Sequence, residues 1–180
     1  MAKNTHLEHL EDDIFNSGYN GATNSINFLV GLRDMLTTGK GGSNMKVTVK
    51  WDGAPAIVCG TDPETGEFFV GNKSVFNKST PKICYTDGFI DEFYPDSGLN
   101  KILKTCLKYL MRLPIDGVIQ GDLLYEKRPP IVTMKGKRCY IFKPNTISYC
   151  VEVDSDMGRQ IAKSEIGIVF HTKYLSLIHI

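Results

Sequence analysis

Short apolar runs separated by turn residues, from residue 45 onward, constrain the fold of this chain most. Residues 45–50 alternate apolar and polar side chains, Trp51-Asp52-Gly53 forms a turn, and residues 56–59 are apolar again. The turn-rich residues 62–66 then precede a third apolar run at residues 67–70. Runs of this kind, joined by Gly, Pro and Asp, are typical of neighbouring antiparallel strands. The pattern therefore predicts a three-stranded meander over residues 45–70.

Helical periodicity dominates the first 36 residues instead. Thr5 and Glu8 have the spacing of a capping box, and the apolar positions that follow predict a helix to about Phe15. Residues 16–21 contain two glycines and interrupt this helix, and a second amphipathic helix follows to about residue 36. The glycine-rich residues 37–44 predict a loop. We therefore expect a helical segment over residues 1–44 that packs on a domain of residues 45–174.

The remainder of the chain mixes helices with strands. Residues 97–111 predict a helix whose apolar stripe is formed by Leu99, Ile102, Leu103, Cys106, Leu107 and Leu110. A short helix is predicted at residues 156–163, and strands are predicted at residues 117–124, 139–143, 148–153 and 167–170. Together these elements predict an α+β fold with an antiparallel sheet core.

Composition limits the class of protein. The 180 residues are enough for one domain with a buried core, and 42% hydrophobic and 23% charged residues are typical of globular proteins. The formal net charge of +1 creates no overall basic field, so nucleic-acid binding would require a local patch. The sequence contains no apolar run of about 20 residues and begins without an apolar leader, which favours the cytoplasm. The five cysteines never occur as C-x-x-C, so neither a zinc site nor a disulfide framework is indicated.

Lys50 is the strongest candidate for a catalytic side chain. It stands at the end of an apolar run, directly before the Asp52-Gly53 turn, where a stiff backbone would hold its amine at the wall of a pocket. A lysine acts as a nucleophile only when its amine is uncharged, and desolvation or cationic neighbours can provide this state. The alternative is a solvated lysine beside an ordinary hairpin turn.

The spacing of Lys50, Asp52 and Gly53 resembles the K-x-D-G motif of the covalent nucleotidyltransferases, which include ATP-dependent DNA ligases, RNA ligases and capping enzymes. In that superfamily the motif lysine takes AMP or GMP from a nucleoside triphosphate as a phosphoramidate and releases pyrophosphate. The resemblance implies an antiparallel, ligase-like (ATP-grasp-like) domain, Lys50 as nucleophile, Asp52 and Gly53 at the nucleotide, and ATP and Mg²⁺ as cofactors.

Further motifs of the superfamily are matched in the expected order. Lys73 occupies the position of a basic residue near the nucleotide. Asp122, at the end of an apolar strand, occupies the position of an acid that contacts the ribose or a metal-bound water. Phe142 occupies the position of an aromatic residue that stacks on the base. The alternatives are a surface lysine at position 73, an Asp122 paired with a structural lysine, and a Phe142 that packs in the core.

The last motifs of the superfamily are matched less closely. Glu165 resembles a metal-holding glutamate, although one residue separates it from Gly167 where the family has none. The alternative is a surface acid at the end of a helix. The two lysines of the final motif are absent, since only Lys173 remains, and Ala54-Pro55-Ala56 replaces an arginine that often follows K-x-D-G.

The amino-acid sequence of residues 4–174 also resembles an uncharacterised family of proteins carried by tailed bacteriophages. Residues 175–180 resemble translated adapter sequence, so we expect a C-terminally truncated domain with a non-native tail. The resemblance implies transfer of AMP from Lys50 to a 5′-phosphate of RNA or DNA in the infected host cytoplasm, with Lys73, Lys78 and Lys82 as candidate phosphate contacts. The alternative function is a non-catalytic phage module that kept the fold and binds nucleic acid or another protein.

Overall fold

A computed structural model describes residues 9–38 and 49–174. The chain divides into two compact units, with the boundary between Lys50 and Trp51. The predictions for the cap at Thr5, most of the loop at residues 37–44, the strand at residues 45–48 and the tail at residues 175–180 lie outside the described residues. The helices are α1 (Leu10–Thr38), α2 (Asp87–Phe93), α3 (Gly98–Leu110) and α4 (Asp156–Lys163). The strands are β1 (Ala56–Thr61), β2 (Phe68–Gly71), β3 (Val118–Tyr125), β4 (Ile131–Met134), β5 (Lys137–Phe142), β6 (Tyr149–Glu152) and β7 (Gly167–Tyr174).

The first unit is built from α1, which is bent at Gly18. This glycine has φ 55° and ψ −127°, a backbone conformation outside the helical region. The bend brings the two arms together: a Cβ on Gly21 would lie 1.9 Å from the carbonyl oxygen of Asp13. The hydroxyl of Ser25 donates to the carbonyl of Leu10 at 3.0 Å. The predicted interruption within residues 16–21 is confirmed as this bend.

The second unit contains a four-stranded antiparallel sheet in the order β2-β1-β3-β7. Successive residues of β1 point to opposite faces, and both faces are covered. Ile57 and Cys59 pack against α3, whereas Val58 packs in a second cluster with Phe69. Helix α3 follows its cap Ser97 and buries five of the six residues of the predicted stripe: Ile102, Leu103, Cys106, Leu107 and Leu110. The sixth, Leu99, is partly buried against the same core.

The second unit also contains a three-stranded antiparallel sheet, in the order β4-β5-β6. The hairpin between β4 and β5 turns at Lys135 and Gly136, which both have positive φ angles of 50° and 78° and so suit a tight two-residue turn. One face of this sheet packs with Ile161 of α4 around Tyr140, Phe142, Tyr149 and Val151. The α+β class with antiparallel sheets is therefore confirmed.

The predicted meander requires a correction. Val49 and Lys50 belong to no strand. The edge of β1 opposite β2 pairs instead with β3, where Ala56 lies opposite Asp122. The sequence pattern shows that β1 needs apolar neighbours but does not identify them. Here the second neighbour is β3, which comes much later in the chain. Strand β4 and helix α2 were also not predicted, because each is a short element without a clear periodicity.

Candidate functional site

The segment of residues 51–55 continues the sheet beyond the start of β1. The amide of Ala54 donates to the carbonyl of Leu123 at 3.1 Å, and the amide of Leu123 donates to the carbonyl of Pro55 at 3.0 Å. Gly53 lies so close to β3 that a Cβ would be 2.3 Å from the carbonyl oxygen of Leu123 and 3.1 Å from the Cβ of Asp122. Only glycine fits here, so the predicted motif lies directly against the strand that carries the predicted acid.

The backbone of Asp52 is held by one hydroxyl of the three-stranded sheet. The Tyr149 hydroxyl accepts from the amide of Asp52 at 2.7 Å and donates to the carbonyl of the same residue at 3.2 Å. The side-chain amide of Asn145 donates to the Asp52 carboxylate at 3.2 Å. Because both main-chain groups and the carboxylate are engaged, the conformation of the motif depends on β6 and on the loop before it.

Trp51 adds an aromatic contact to the same sheet. Its ring stacks on Phe142 with centroids 5.9 Å apart and an interplanar angle of 8°, and it lies 4.8 Å from the ring of Tyr149. Phe142 is only 7% exposed and also meets Tyr125 edge-on at 5.2 Å. The structure thus places Phe142 in the core, which is the alternative that the sequence left open for this residue.

Asp122 lies on β3 between Ala56 of β1 and Val169 of β7. Its carboxylate oxygen is 3.5 Å from Nε2 of His171, and the side chains are 20% and 27% exposed. The partner of this carboxylate is therefore a histidine and not the structural lysine of the alternative. Nδ1 of His171 lies 2.8 Å from the Thr172 hydroxyl, so both ring nitrogens face polar groups.

Sequence reasoning missed His171, and the reason is a local irregularity of β7. The pairing of β3 with β7 shifts register between Gln120, which lies opposite Thr172, and Gly121, which lies opposite Phe170. The residue between these two partners, His171, is the extra residue of a bulge, and bulges re-aim side chains. No signal in the strand pattern marks this position. Trp51 and Tyr149 were also missed, because the sequence around an aromatic residue does not show which distant segment its ring contacts.

The other predicted site residues lie at the surface. Lys50 is exposed and directly precedes Trp51 in the chain. Lys73 is exposed and begins a short 3₁₀ helix (Lys73–Phe76) after β2. Glu165 is exposed, and its carboxylate lies 4.0 Å from the guanidinium of Arg128. In the described parts of the chain, no three or more His, Cys, Asp or Glu side chains are grouped in a way that could hold a metal ion.

Of the predicted site residues, the structure brings together Asp52, Gly53 and Asp122. The fold and the site define an α+β protein in which a glycine-containing loop closes against a half-buried carboxylate at the end of a four-stranded sheet. A family model matches residues 4–178, and the chain belongs to this family, described as a family of unknown function (DUF6267). Searches of curated proteins and of solved structures gave no significant match. None of the helices in residues 9–38 and 49–174 has the length and apolar character needed to cross a membrane.

Proposed function

We propose that this protein is an ATP-dependent nucleotidyltransferase of the RNA or DNA ligase type, with Lys50 as its nucleophile. The amine of Lys50 attacks the α-phosphate of ATP and loses a proton. The nitrogen–phosphorus bond forms, the bond between the α- and β-phosphates breaks, and pyrophosphate leaves. The product is a lysyl-AMP phosphoramidate.

The observation that supports this proposal most is the contact between two motifs that are distant in the sequence. Gly53 lies against Leu123 and the Cβ of Asp122, and Asp122 keeps a partly exposed carboxylate beside this contact. A ligand held at the loop that follows Lys50 would meet a carboxylate that accepts hydrogen bonds from hydroxyl groups, such as those of a ribose. Strand register places the start of β1, and hence Asp122, at the same end of the sheet as the end of β2, after which Lys73 supplies a cation for phosphate.

Two groups take no part in the proposed step. Phe142 is only 7% exposed and packs with Trp51 and Tyr149, so we assign it no contact with the base. Glu165 belongs to no cluster of metal-binding side chains in the described residues, so we derive no step through a resident metal. Magnesium enters the proposal as part of the Mg·ATP substrate, where it neutralises the triphosphate. We extend the proposal to a 5′-phosphate of RNA or DNA as acceptor, in the cytoplasm of an infected bacterium.

The test is covalent labelling. The protein is incubated with α-³²P-labelled ATP and Mg²⁺, denatured and separated by electrophoresis. We expect a labelled band for the wild type and for Lys127→Ala, a matched change of another exposed lysine. We expect the label to fall by at least about a hundredfold in Lys50→Ala, because this change removes the amine that forms the proposed phosphoramidate. Absence of label from the wild type with both ATP and GTP would contradict the proposal.

A non-catalytic binding module is the second candidate. The burial of Phe142 behind Trp51 favours it, because this arrangement removes one ring that a nucleotide base could stack on. For this candidate we expect no covalent label and salt-dependent binding of an oligonucleotide to both the wild type and Lys50→Ala.

A further inference from the structure

Strand β4 is an edge strand that is exposed along its whole length. It pairs with β5 through the register Ile131↔Tyr140 to Met134↔Lys137, and no strand lies on its other side among the described residues. All four of its residues are exposed, and three of them are large and apolar: Ile131, Val132 and Met134 are 43–44% exposed.

The hydrogen-bonding pattern of the β4–β5 hairpin shows which backbone groups of β4 do not bond to β5. The amide of Ile141 donates to the carbonyl of Pro130 at 3.2 Å. In an antiparallel ladder every second residue bonds to the partner strand, so Val132 and Met134 bond to β5. The N–H and C=O groups of Ile131 and Thr133 therefore point away from the sheet. Consistent with this pattern, the carbonyl of Arg138, opposite Thr133, accepts from Val153 on the other side of β5.

Both edges of the four-stranded sheet carry protection that β4 lacks. The outer edge of β2 is closed by two hydrogen bonds between Val70 and Cys84, at 3.0 and 3.1 Å. Strand β7 contains a bulge and a charged Lys173. Bulges and charges are the usual means by which natural edges avoid pairing with another chain. Strand β4 is uncharged and regular, so it is open to a further strand.

The charged residues near β4 indicate which kind of segment pairs with it. Cations flank β4 at both ends, namely Lys127 and Arg128 before it and Lys135, Lys137 and Arg138 after it. Two of them have an acidic neighbour, since Lys137 contacts Glu152 and Arg128 lies 4.0 Å from Glu165. Antiparallel pairing of β4 with a second copy of itself would set the cations before the strand beside those after it, which is unfavourable. An extended segment with acidic ends would meet opposite charges instead.

We propose that β4 is a docking edge for an extended, acidic segment of a partner protein, which adds a fourth strand to the three-stranded sheet. Main-chain bonds to Ile131 and Thr133 provide the affinity, as in other cases of strand addition. The flanking cations fix the sign of the partner's charge. This interaction is independent of nucleotidyl transfer and would persist in Lys50→Ala.

The test uses a fluorescein-labelled synthetic octapeptide with the sequence Asp-Val-Thr-Ile-Thr-Val-Glu-Asp, measured by fluorescence anisotropy. The key variant is Thr133→Pro, because proline removes an outward N–H that the hairpin itself does not use. Thr133→Ala is its matched control, since it keeps this N–H. We expect saturable binding to the wild type and to Thr133→Ala, and at least about tenfold weaker binding to Thr133→Pro. We also expect at least about tenfold weaker binding of a peptide in which lysines replace the acids.

A second measurement covers the case in which Thr133→Pro does not fold, as judged by circular dichroism. The wild type is then titrated with a peptide that is N-methylated at alternate residues, which removes its inward-facing donors, and we expect the same loss of binding. Equal binding of the methylated and unmethylated peptides, stronger binding of the lysine peptide, or no saturation up to about 1 mM would overturn the proposal. A concentration-dependent dimer that Thr133→Pro abolishes would show that a second copy occupies β4, and would also overturn it.

Discussion

The two sheets of the second unit differ in how completely they are covered. The four-stranded sheet is packed on both faces, with Leu103 of α3 fully buried on one side and Phe69 fully buried on the other. In the three-stranded sheet the aromatic cluster with α4 covers one face, and β4 is exposed. This difference indicates that the first sheet provides most of the stability. The second sheet holds Trp51 and Asp52 in place and offers an edge to a partner.

The largest expected effect contrasts a buried with an exposed side chain. Leu103 is 0% exposed beneath the four-stranded sheet, whereas Val132 is 43% exposed on β4. We expect Leu103→Ala to lower the free energy of unfolding by about 2–5 kcal/mol, because it removes buried surface and leaves a cavity. Val132→Ala is expected to cost less than about 1 kcal/mol. Urea denaturation measures the free energy of unfolding of both variants. Equal decreases would show that the two sheets contribute equally to stability.

The next effect concerns the segment that joins the two sheets. Gly53→Ala would bring a Cβ to 2.3 Å from the carbonyl of Leu123, and we expect a cost of about 1–3 kcal/mol because the backbone must shift. Gly98→Ala is the matched control, since nothing lies within 4 Å of its Cβ position. If Lys50 is labelled in the wild type, the label should fall in Gly53→Ala and remain in Gly98→Ala. Unchanged stability of Gly53→Ala would show that residues 51–55 can separate from β3 without a measurable cost in stability.

A third expected effect is a dependence of stability on alkaline pH. Burial raises the pKa of Cys59 and Cys106 to about 12 and that of Cys84 to about 11, and all three pack around the four-stranded sheet. In the unfolded chain these thiols would ionise near pH 8.5. The unfolded state therefore loses protons first, and stability present below about pH 8.5 is lost as the pH rises towards 11. The slope approaches about 1.4 kcal/mol per pH unit for each thiol.

Two measurements compare the buried thiols of the four-stranded sheet with the exposed thiol of Cys150. Urea denaturation at pH 8, 9 and 10 should show the decline, and Cys84→Ala should reduce its slope by the contribution of one thiol, up to about 1.4 kcal/mol per pH unit. At pH 8 a thiol reagent should modify Cys150 of the native protein, because Cys150 is the exposed cysteine of the three-stranded sheet. The buried thiols should react only after unfolding. Rapid modification of all five in native protein would show that the four-stranded core opens readily.

The sequence predicted those elements whose pattern is complete within one segment. Helix α3 lies within one residue of its predicted bounds and buries five of the six residues of its predicted stripe, and α4 begins and ends at the predicted residues. Most strands were located to within two residues or so, but β7 runs to Tyr174, beyond its predicted end at residue 170. Strand β4 has four exposed residues, so no alternation of buried and exposed positions marks it, and it was missed.

The candidate site could be predicted only in part, for a related reason. Asp52, Gly53 and Asp122 were identified from the spacing of motifs, and the structure brings them together. The partner of Asp122 could not be predicted, because His171 reaches it through a bulge in β7. The choice between a core and a base-stacking role for Phe142 depended on Trp51, which approaches from another segment of the chain.

By itself the sequence determined the local features of this protein: the bend within residues 16–21, the amphipathic helix α3, the hairpin of β1 and β2, and the α+β class. These features depend on periodicity, caps and glycines, whose effects act over a few residues. Only the tertiary structure decided that β3 borders β1, and that Tyr149 holds Asp52. The physical reason is that strand pairing and side-chain packing are chosen by competition among all segments of the folded chain, and no single segment records its outcome.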